Sequence, residues 1–362
     1  MNIMKKFFKT ISQPQKTKME AEIYEQSDII FELIRKYINK DYSINIELPD
    51  NVKRIALIAS GSSYHSAAIA ANFLRNKVHI NSQAYYSSEV ALTDCFDTEE
   101  ETLYIFISQS GETSDTNSAL NRVKETTDKT LVITNVKNSS LYNKSKYKIL
   151  TYAGTEQAIS STKTMCAQLF CLFLLAIKIM KNKELPSMKY VDELLNVPEY
   201  IKNALANREV VKRYAKTLVN YDNAAILASG LFYPLAKEGA LKIKETSYIN
   251  TTAYPTGEFL HGHIAILNKK CALIVLVNNQ NIQFTIDVLM KINNHYKTDT
   301  LIILSALPIQ EIDRKDFIQI ETKSEIDFLF SSLVILQLLA FEAAVLLKRN
   351  IDFPEGLSKV VK

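Results

Sequence analysis

Several patterns that would assign a function directly are missing from this sequence. Its four cysteines include no CxxC pair, and its five histidines form no zinc-ligand pattern with them. We therefore predict no metal and no cofactor, and reduced, buried thiols in a cytoplasmic protein. The net charge of +4 is spread along 362 residues, so we expect no nucleic-acid partner. The cysteines are Cys95, Cys166, Cys171 and Cys271.

The sequence also lacks a recognisable leader and a long uninterrupted apolar run. Residues 1–8 are basic and then briefly apolar, without the sustained apolar core of a signal peptide. The most apolar run, residues 169–177, is far shorter than the ~20 residues that cross a bilayer. Residues 331–347 are interrupted by Gln337 and Glu342. We predict two buried helices here and no membrane partner.

An internal repeat is present instead. The apolar run 54–59, followed by Ser60 and Gly61, returns as the run 224–228, followed by Ser229 and Gly230. Ser229 follows Ser60 by 229 − 60 = 169 positions, and two further apolar runs return at almost the same offset. Apolar strands that alternate with helical stretches predict parallel sheets covered on both faces. The predicted fold class is α/β, with two tandem doubly wound, flavodoxin-like domains related by internal duplication.

The repeat suggests a division of the chain into four parts. We predict a helical segment over residues 1–40, a first domain over 41–185, a second domain over 186–345 and a tail over 346–362. An amphipathic helix is expected over 16–40, and residues 182–211 are expected to connect the copies. In such folds a ligand binds beyond the carboxyl ends of the strands.

A hydroxyl-rich segment follows the β-rich run 102–106. Residues 107–113 read Ile-Ser-Gln-Ser-Gly-Glu-Thr, and such a loop between a strand and a helix can wrap an anion. The Gly-Lys-Ser/Thr ending of a nucleotide-binding loop is absent, which favours a small phosphorylated ligand. An ordinary turn that caps a helix is the alternative, and the segment alone does not decide between them. The second copy has Asn-Asn-Gln-Asn over 278–281, so the predicted loop belongs to the first copy only.

Three charged residues follow the second Ser-Gly pair. Glu238, Lys242 and Glu245 have the i, i+4, i+7 spacing of one helix face. A surface stripe of ion pairs is the usual explanation of such spacing, and it contributes little stability. Here the helix begins where the ligand site is expected, which favours a chemical role for at least one carboxylate.

Two further side chains could take part in chemistry. His261 lies beside a glycine in a loop and could act as a general acid or base near neutral pH. His261 and His263 could also be part of a metal site, but no third ligand is near, so acid/base chemistry is preferred. Lys359, in the tail, could point its amine into a cleft or simply face solvent.

Five motifs in one order resemble a known family. They are SQSGET at 108–113, GTEQAISSTK at 154–163, EGALKIKETSYI at 238–249, GEFLHG at 257–262 and LSKV at 357–360. Together they resemble the isomerase half of glucosamine-6-phosphate synthases, which is a tandem pair of sugar isomerase (SIS) domains. The likeness extends from about Glu20 to the C-terminus.

The resemblance implies a role for each matching position. Glu245 would move a proton between C1 and C2 of an open-chain sugar. His261 would assist ring opening, reaching in from the other subunit of a homodimer, and Lys359 would meet the C2 carbonyl as a Schiff base or through its charge. Glu238 and Lys242 would support them. The ligand-binding positions would be Ser62, Ser63, Ser108, Gln109, Ser110, Gly111 and Thr113 for the phosphate, and Ser161 and the backbone near Ile159 for the sugar hydroxyls.

The sequence also departs from this family. Only a short segment precedes Glu20, so we expect no glutaminase activity. His263 stands where proline is common, and Glu355 stands where an arginine often precedes the tail lysine. We predict a phosphosugar isomerase that deaminates glucosamine 6-phosphate, or a close relative, to the ketose phosphate and ammonia. The alternatives are a fructosamine-6-phosphate deglycase and a non-catalytic sensor of sugar phosphates.

Overall fold

Two parallel sheets organise the computed structural model, which describes residues 17–93, 101–267, 271–278, 280–295, 301–306, 317–320 and 322–359. Each sheet has five strands within these ranges. The first contains β1 (Arg54–Ala59), β2 (Asn81–Tyr86), β3 (Thr102–Ser108), β4 (Thr130–Thr134) and β5 (Tyr147–Leu150). The second contains β6 (Asn223–Ala228), β7 (Asn250–Pro255), β8 (Cys271–Val277), β9 (Leu301–Ser305) and β10 (Phe317–Gln319).

The two sheets share one topology. The strand order is β2-β1-β3-β4-β5 in the first and β7-β6-β8-β9-β10 in the second, and the strands pair in parallel throughout. The strands β1 and β6 start at Arg54 and Asn223, which are 223 − 54 = 169 positions apart. This confirms the predicted fold class and the duplication. The order in which strands are added to the sheet reverses between β1 and β3, and open α/β sheets bind ligands at such a point.

Helices cover the faces of both sheets. They are α1 (Lys18–Tyr24), α2 (Gln26–Tyr37), α3 (Gly61–Phe73), α4 (Ser87–Leu92), α5 (Ser114–Lys124), α6 (Ser140–Lys144), α7 (Lys163–Asn182), α8 (Met188–Ala206), α9 (Arg208–Leu218), α10 (Tyr233–Ser247), α11 (Ile282–His295) and α12 (Glu325–Leu346). A single apolar cluster joins residues of both copies, so one core runs between the two sheets.

The helices α7 and α12 form the centre of that core. Both are long and apolar enough to meet the length and composition of a membrane span, but 94% and 89% of their most apolar windows are buried within the chain. The helix α7 packs against α2 and α3, and α12 packs against α8, α9 and α10. Their hydropathy is therefore explained by packing between the two copies, as the sequence predicted.

One local prediction needs correction. The single helix expected over residues 16–40 is divided at Glu25 into α1 and α2. The segment 182–211 lies between the two copies as expected and is largely helical, with Pro198 inside α8. The apolar face of α8, including Val191, Leu194 and Val197, is buried against the core, and this burial outweighs the helix-breaking tendency of one proline.

The helices that follow β1 and β6 bring the predicted site residues together. The helix α3 begins at Gly61, with a positive φ of 55°, and α10 follows Gly230, with a φ of 58°. These helices pack against each other across the two copies. The helix that carries Ser62 and Ser63 therefore lies against the helix that carries Glu238, Lys242 and Glu245.

Candidate active site

In the hydroxyl-rich loop of the first copy, side-chain hydroxyls bind backbone N–H groups of the same loop. The loop leaves β3 at the centre of the sheet and leads into α5. The Ser108 and Thr113 hydroxyls lie 2.9 Å apart, and the Ser108 oxygen accepts the N–H of Gly111 at 3.1 Å. The Ser110 hydroxyl accepts the N–H of Glu112 at 3.1 Å. This arrangement gathers hydroxyls and a helix N-terminus at the topological switch point, as an anion site requires.

Neighbouring segments hold this loop in place. The Glu112 carboxylate accepts both the backbone N–H and the hydroxyl of Ser140 at 2.7 Å, and Gly111 O accepts the N–H of Leu141 at 3.1 Å. Gly111 has a φ of 67°, and a side chain there would place its Cβ 2.0 Å from Ser139 Oγ. Glycine is thus required for both conformation and space.

The corresponding loop of the second copy is closed by its own side chains. Asn278 Oδ1 accepts the N–H groups of Gln280 and Asn281, and Asn281 Oδ1 accepts the N–H of Asn278. In both loops, therefore, some backbone N–H groups are bound by side-chain oxygens of the same loop, but the first loop carries hydroxyls and the second carries amides. That the anion-type loop belongs to the first copy stays a prediction.

The charged face of α10 is buried. Lys242 Nζ lies 2.5 Å from Glu245 Oε2 and 3.7 Å from Glu238 Oε1, and the Lys242 and Glu238 side chains are only 1% and 0% exposed. Burial alone would raise the pKa of Glu238, but Lys242 and His65 outweigh it and hold that pKa below its usual value. Burial would lower the pKa of Lys242, but Glu245 and Glu238 raise it. The surface-stripe explanation is therefore wrong, and these residues form a buried charged network.

The sequence did not identify His65 as part of this network. His65 Nδ1 lies 2.7 Å from Glu238 Oε2, although the two residues are 173 positions apart. The position of His65 on α3, close behind Ser62 and Ser63, was the only available signal. His65 joins the helix of the predicted phosphate site to the helix of the predicted base.

A short segment of the first copy, residues 156–162, connects the remaining predicted groups. The Ser160 hydroxyl donates to Glu245 Oε2 at 2.7 Å, while Lys359 Nζ donates to Ala158 O at 2.7 Å and to Glu156 Oε2 at 2.6 Å. We call residues 156–162 the bridging segment. Glu245 of α10 and Lys359 of the tail thus contact the same short segment, at residues two to four positions apart. Lys359 does not simply face solvent, which was the alternative.

The N-terminal helix and the tail hold the bridging segment from behind. The buried Glu22 carboxylate on α1 accepts the backbone N–H groups of Gln157 and Ala158. Desolvation raises the pKa of Glu22 to about 7, against the Gln157 hydrogen bond that lowers it, and the nearby Glu156 carboxylate raises it further. The Asp352 carboxylate accepts the N–H groups of Lys18 and Met19 at the start of α1, at 3.0 and 2.9 Å.

The other predicted positions lie around this centre with fewer contacts. The N–H of Ile159 donates to Asp352 O at 2.9 Å, and the Gln109 carbonyl accepts the N–H of Asn135 at 3.1 Å. The Ser62 hydroxyl contributes a hydrogen bond to Glu238, whereas Ser63 and Ser161 are only partly exposed at the same end of the first copy. Their roles stay predictions.

The two loop histidines lie apart from the charged network. His261 and His263 are exposed, and the His263 ring packs on Tyr254 with centroids 4.6 Å apart. No hydrogen bond or ion pair between described residues joins His261 to Glu245. Within the same described ranges, no group of three or more His, Cys, Asp or Glu side chains could hold a metal ion. The three described cysteines are buried free thiols, and Cys95 lies outside the described residues.

The tight packing around Gly111 generates a first prediction. Both Gly111→Ala and Gly230→Ala place a side chain at a positive φ, which costs about 1–2 kcal/mol. Only the first also forces a Cβ against Ser139, whereas a Cβ at Gly230 meets open space, so Gly111→Ala should lose roughly 1–3 kcal/mol more. Thermal unfolding of the two variants measures this difference, and equal losses would show that the loop is not tightly packed.

The raised pKa of Glu22 generates a second prediction. The native state binds this proton more tightly than the unfolded chain does, so the stabilisation is fully present below pH 4.5 and is lost as the pH rises through about 7. In Glu22→Gln, the free energy of unfolding should vary less over this pH window, by roughly 3 kcal/mol. Denaturant unfolding at several pH values measures it, with the exposed Glu32→Gln as the control. A pH dependence identical to that of the unmodified chain would contradict the assignment.

This chain is similar in sequence to a known domain family and to known proteins along most of its length. The SIS domain model matches residues 50–178 and 217–347. The chain is 33% identical over 353 residues to the isomerizing glutamine–fructose-6-phosphate aminotransferase of Campylobacter jejuni, covering 95% of this chain and 58% of that protein. It is 30% identical over 352 residues to the same enzyme of Aquifex aeolicus, covering 95% and 57%. The chain thus spans little more than half the length of these relatives.

Solved structures agree with this result. The C-terminal domain of glucosamine-fructose-6-phosphate aminotransferase from Francisella tularensis has a TM-score of 0.86 at 28% identity, covering 94% of this chain and 99% of that one. The glucosamine-6-phosphate deaminase from Thermotoga maritima has a TM-score of 0.75 at 20% identity, covering 95% and 99%. The latter similarity shows a shared fold. By its two matched segments and its two sheets of identical topology, the chain belongs to the SIS domain family and carries that domain twice.

Proposed function

We propose that this chain is a phosphosugar isomerase that acts on an amino-sugar phosphate. Glucosamine 6-phosphate is the leading candidate, converted to the ketose 6-phosphate and ammonia. The observation that carries the proposal is the bridging segment, which contacts Glu245 through Ser160 and Lys359 through Ala158. The names of two relatives, which contain fructose 6-phosphate and glucosamine, support a sugar 6-phosphate of the amino-sugar class as the substrate. The buried free thiols fit a reducing cytoplasm.

The loop of residues 108–113 would hold the phosphate. Its hydroxyls and the N-terminus of α5 supply donors without a bound cation, and Glu112 and Gly111 are already fixed by the next loop. A preformed clamp far from the reacting carbons uses phosphate binding energy to position them. Ser63 at the start of α3 would complete the clamp from the adjacent strand end, together with Ser62 through its backbone N–H, because the Ser62 hydroxyl already bonds to Glu238.

Glu245 would act as the base on the open-chain sugar. Its carboxylate is fixed by Lys242 and Ser160, and its side chain is 22% exposed, so it remains accessible to a ligand. It would remove the proton at C2 and return it to C1, while a proton passes from the amino nitrogen to O1, so that the C1 aldehyde becomes a hydroxyl and the amino group becomes an imine at C2. Water would then add to C2, and ammonia would leave with the C2–N electron pair. Such a transfer needs a single base placed between two carbons.

Lys359 would stabilise the oxygen or nitrogen at C2. Its amine is bound by Glu156 and by the Ala158 carbonyl, and its side chain is 25% exposed. These contacts keep a flexible lysine from the tail at the end of the bridging segment. The Glu156 carboxylate is itself fixed by the N–H groups of Thr162 and Thr164, so the amine is held by a rigid partner.

We further propose that His261 acts in the site of a second copy of the chain. It lies in a groove with Leu260, Phe284 and Lys291, between its loop and α11, and has no described contact to Glu245 of its own chain. A histidine that assists ring opening must reach the sugar of a neighbouring subunit if it cannot reach its own. A homodimer would satisfy this requirement.

Turnover with a base variant tests the proposed chemistry. Glu245→Gln should lower kcat for glucosamine 6-phosphate by about 10²–10⁴-fold, because it removes the proton acceptor. Ligand-induced thermal stabilisation should remain, because the phosphate loop is unchanged. The exposed neighbour variant Lys244→Gln is the control and should retain activity. A rate for Glu245→Gln within threefold of the unmodified chain would exclude Glu245 as the base.

The same assay separates the alternatives. Ammonia and ketose phosphate from glucosamine 6-phosphate support the deaminase. Faster release of amine from a fructosamine 6-phosphate would indicate a deglycase. Thermal stabilisation by these sugars with no turnover of any would indicate a sensor.

Mixed dimers test the sharing of His261. The variants Glu245→Gln and His261→Ala are each expected to be nearly inactive alone. After unfolding and refolding together, half the dimers would be mixed and each would contain one intact site, so about a quarter of the activity should return. Failure of mixed dimers to recover activity, with both variants folded, would place the complete site within one chain.

A further inference from the structure

The buried network contains more carboxylates than Lys242 can satisfy alone. Lys242 Nζ lies 2.5 Å from Glu245 but 3.7 Å from Glu238, although both carboxylates are on its own helix. Glu238 Oε1 is buried and makes no hydrogen bond to any described residue. A lone ammonium between two carboxylates would be drawn towards the more buried one, because the interaction is stronger where water is excluded. Something must therefore hold Glu238 by other means.

His65 supplies that hold from the other copy. Its Nδ1 lies 2.7 Å from Glu238 Oε2, and its side chain is 11% exposed. The Ser62 hydroxyl adds a second hydrogen bond to the same carboxylate. Both residues belong to α3, in the helix that begins at the predicted phosphate site. Glu238 is thus satisfied by the first copy, and Lys242 can remain on Glu245.

We infer that His65 is a positioning residue: by holding Glu238, it keeps the Lys242 ammonium on Glu245 and so keeps the base in place. This inference rests on the proposed function, because it assigns His65 a role in the readiness of that base. It gives His65 a role that the sequence motifs did not indicate, and it makes the packing of α3 against α10 part of the chemistry.

The surrounding groups define what a pH profile would report. Glu238, Lys242 and Glu245 face this position from α10, and Glu156 of the bridging segment also acts on Lys242. The Tyr64 ring lies 6.0 Å from the His65 ring, edge-on. Without the hydrogen bond from His65 to Glu238, Lys242 should move towards Glu238. Glu245, no longer paired, should then take up a proton at higher pH.

The test compares His65→Leu, which removes the donor, with His65→Asn, which retains a donor at the Nδ1 position. In a crystal structure of His65→Leu, Lys242 Nζ should lie within 3.2 Å of Glu238, a hydrogen-bond distance, and no longer contact Glu245. The acidic limb of kcat/KM should shift upward by about one pH unit, and His65→Asn should restore most of the original profile. The control is His79→Asn, at an exposed position with a φ of 52° that asparagine accepts.

A second variant isolates the route through Glu238. In a Glu238→Gln background, the carboxylate that competes for Lys242 is gone, so adding His65→Leu should shift the acidic limb no further. If the Leu variant does not fold, His65→Gln replaces it, because its donor no longer reaches the Nδ1 position.

The structure and the assay can fail separately. Lys242 remaining on Glu245 in the crystal structure of the His65 variant would overturn the inference, whether or not turnover is measured. An additional shift in the Glu238→Gln background would overturn it as well. Absence of turnover in the unmodified chain, with Lys242 displaced as expected in the variant, would count against the proposed function alone.

Discussion

The rest of the site depends on the ion pairs between the buried Lys242 ammonium and the carboxylates of Glu245 and Glu238. An ion of this kind is costly to remove from water and is stable only with carboxylates in close contact. Glu245 provides the close partner, and Glu238 lies on the other side. Glu238 is in turn bound by His65, so the carboxylate that helps to stabilise this buried cation also connects α10 of the second copy to α3 of the first. The packing of α3 against α10 therefore also fixes the charges.

The bridging segment extends this coupling to both ends of the described chain. It receives Glu245 through Ser160, Lys359 through Ala158 and Glu22 through two backbone N–H groups. Four parts of the sequence that are far apart thus meet within seven residues. Loops placed on a rigid scaffold commonly carry function for this reason, and here the scaffold includes the N-terminal helix as well as the sheets.

The strands and their duplication could be predicted because apolar runs and Ser-Gly pairs recur at a nearly constant offset, which is local information. The face of α10 could be predicted from its spacing, but its burial could not, since i, i+4 ion pairs are usual at surfaces. The contacts of His65, Glu22 and Glu156 could not be predicted, because their partners lie 173, 135 and 203 positions away in the sequence. The break between α1 and α2 at Glu25 likewise has no clear signal in the local sequence, which contains neither proline nor glycine there.

The loop that contains Asn278 and Asn281 makes the two ends of the molecule chemically different, although the two copies share one fold. Two copies of one fold related by duplication could offer two equivalent ends to an elongated ligand. The two loops now differ in chemistry: the first carries the hydroxyls of Ser108, Ser110 and Thr113, whereas in the second the side-chain oxygens of Asn278 and Asn281 accept backbone N–H groups of the same loop. If the first loop holds the phosphate as proposed, a sugar phosphate would have one permitted orientation, with its phosphorylated end beside the first sheet and its reactive carbons beside the second. Loss of symmetry in a single loop would make the chemistry directional.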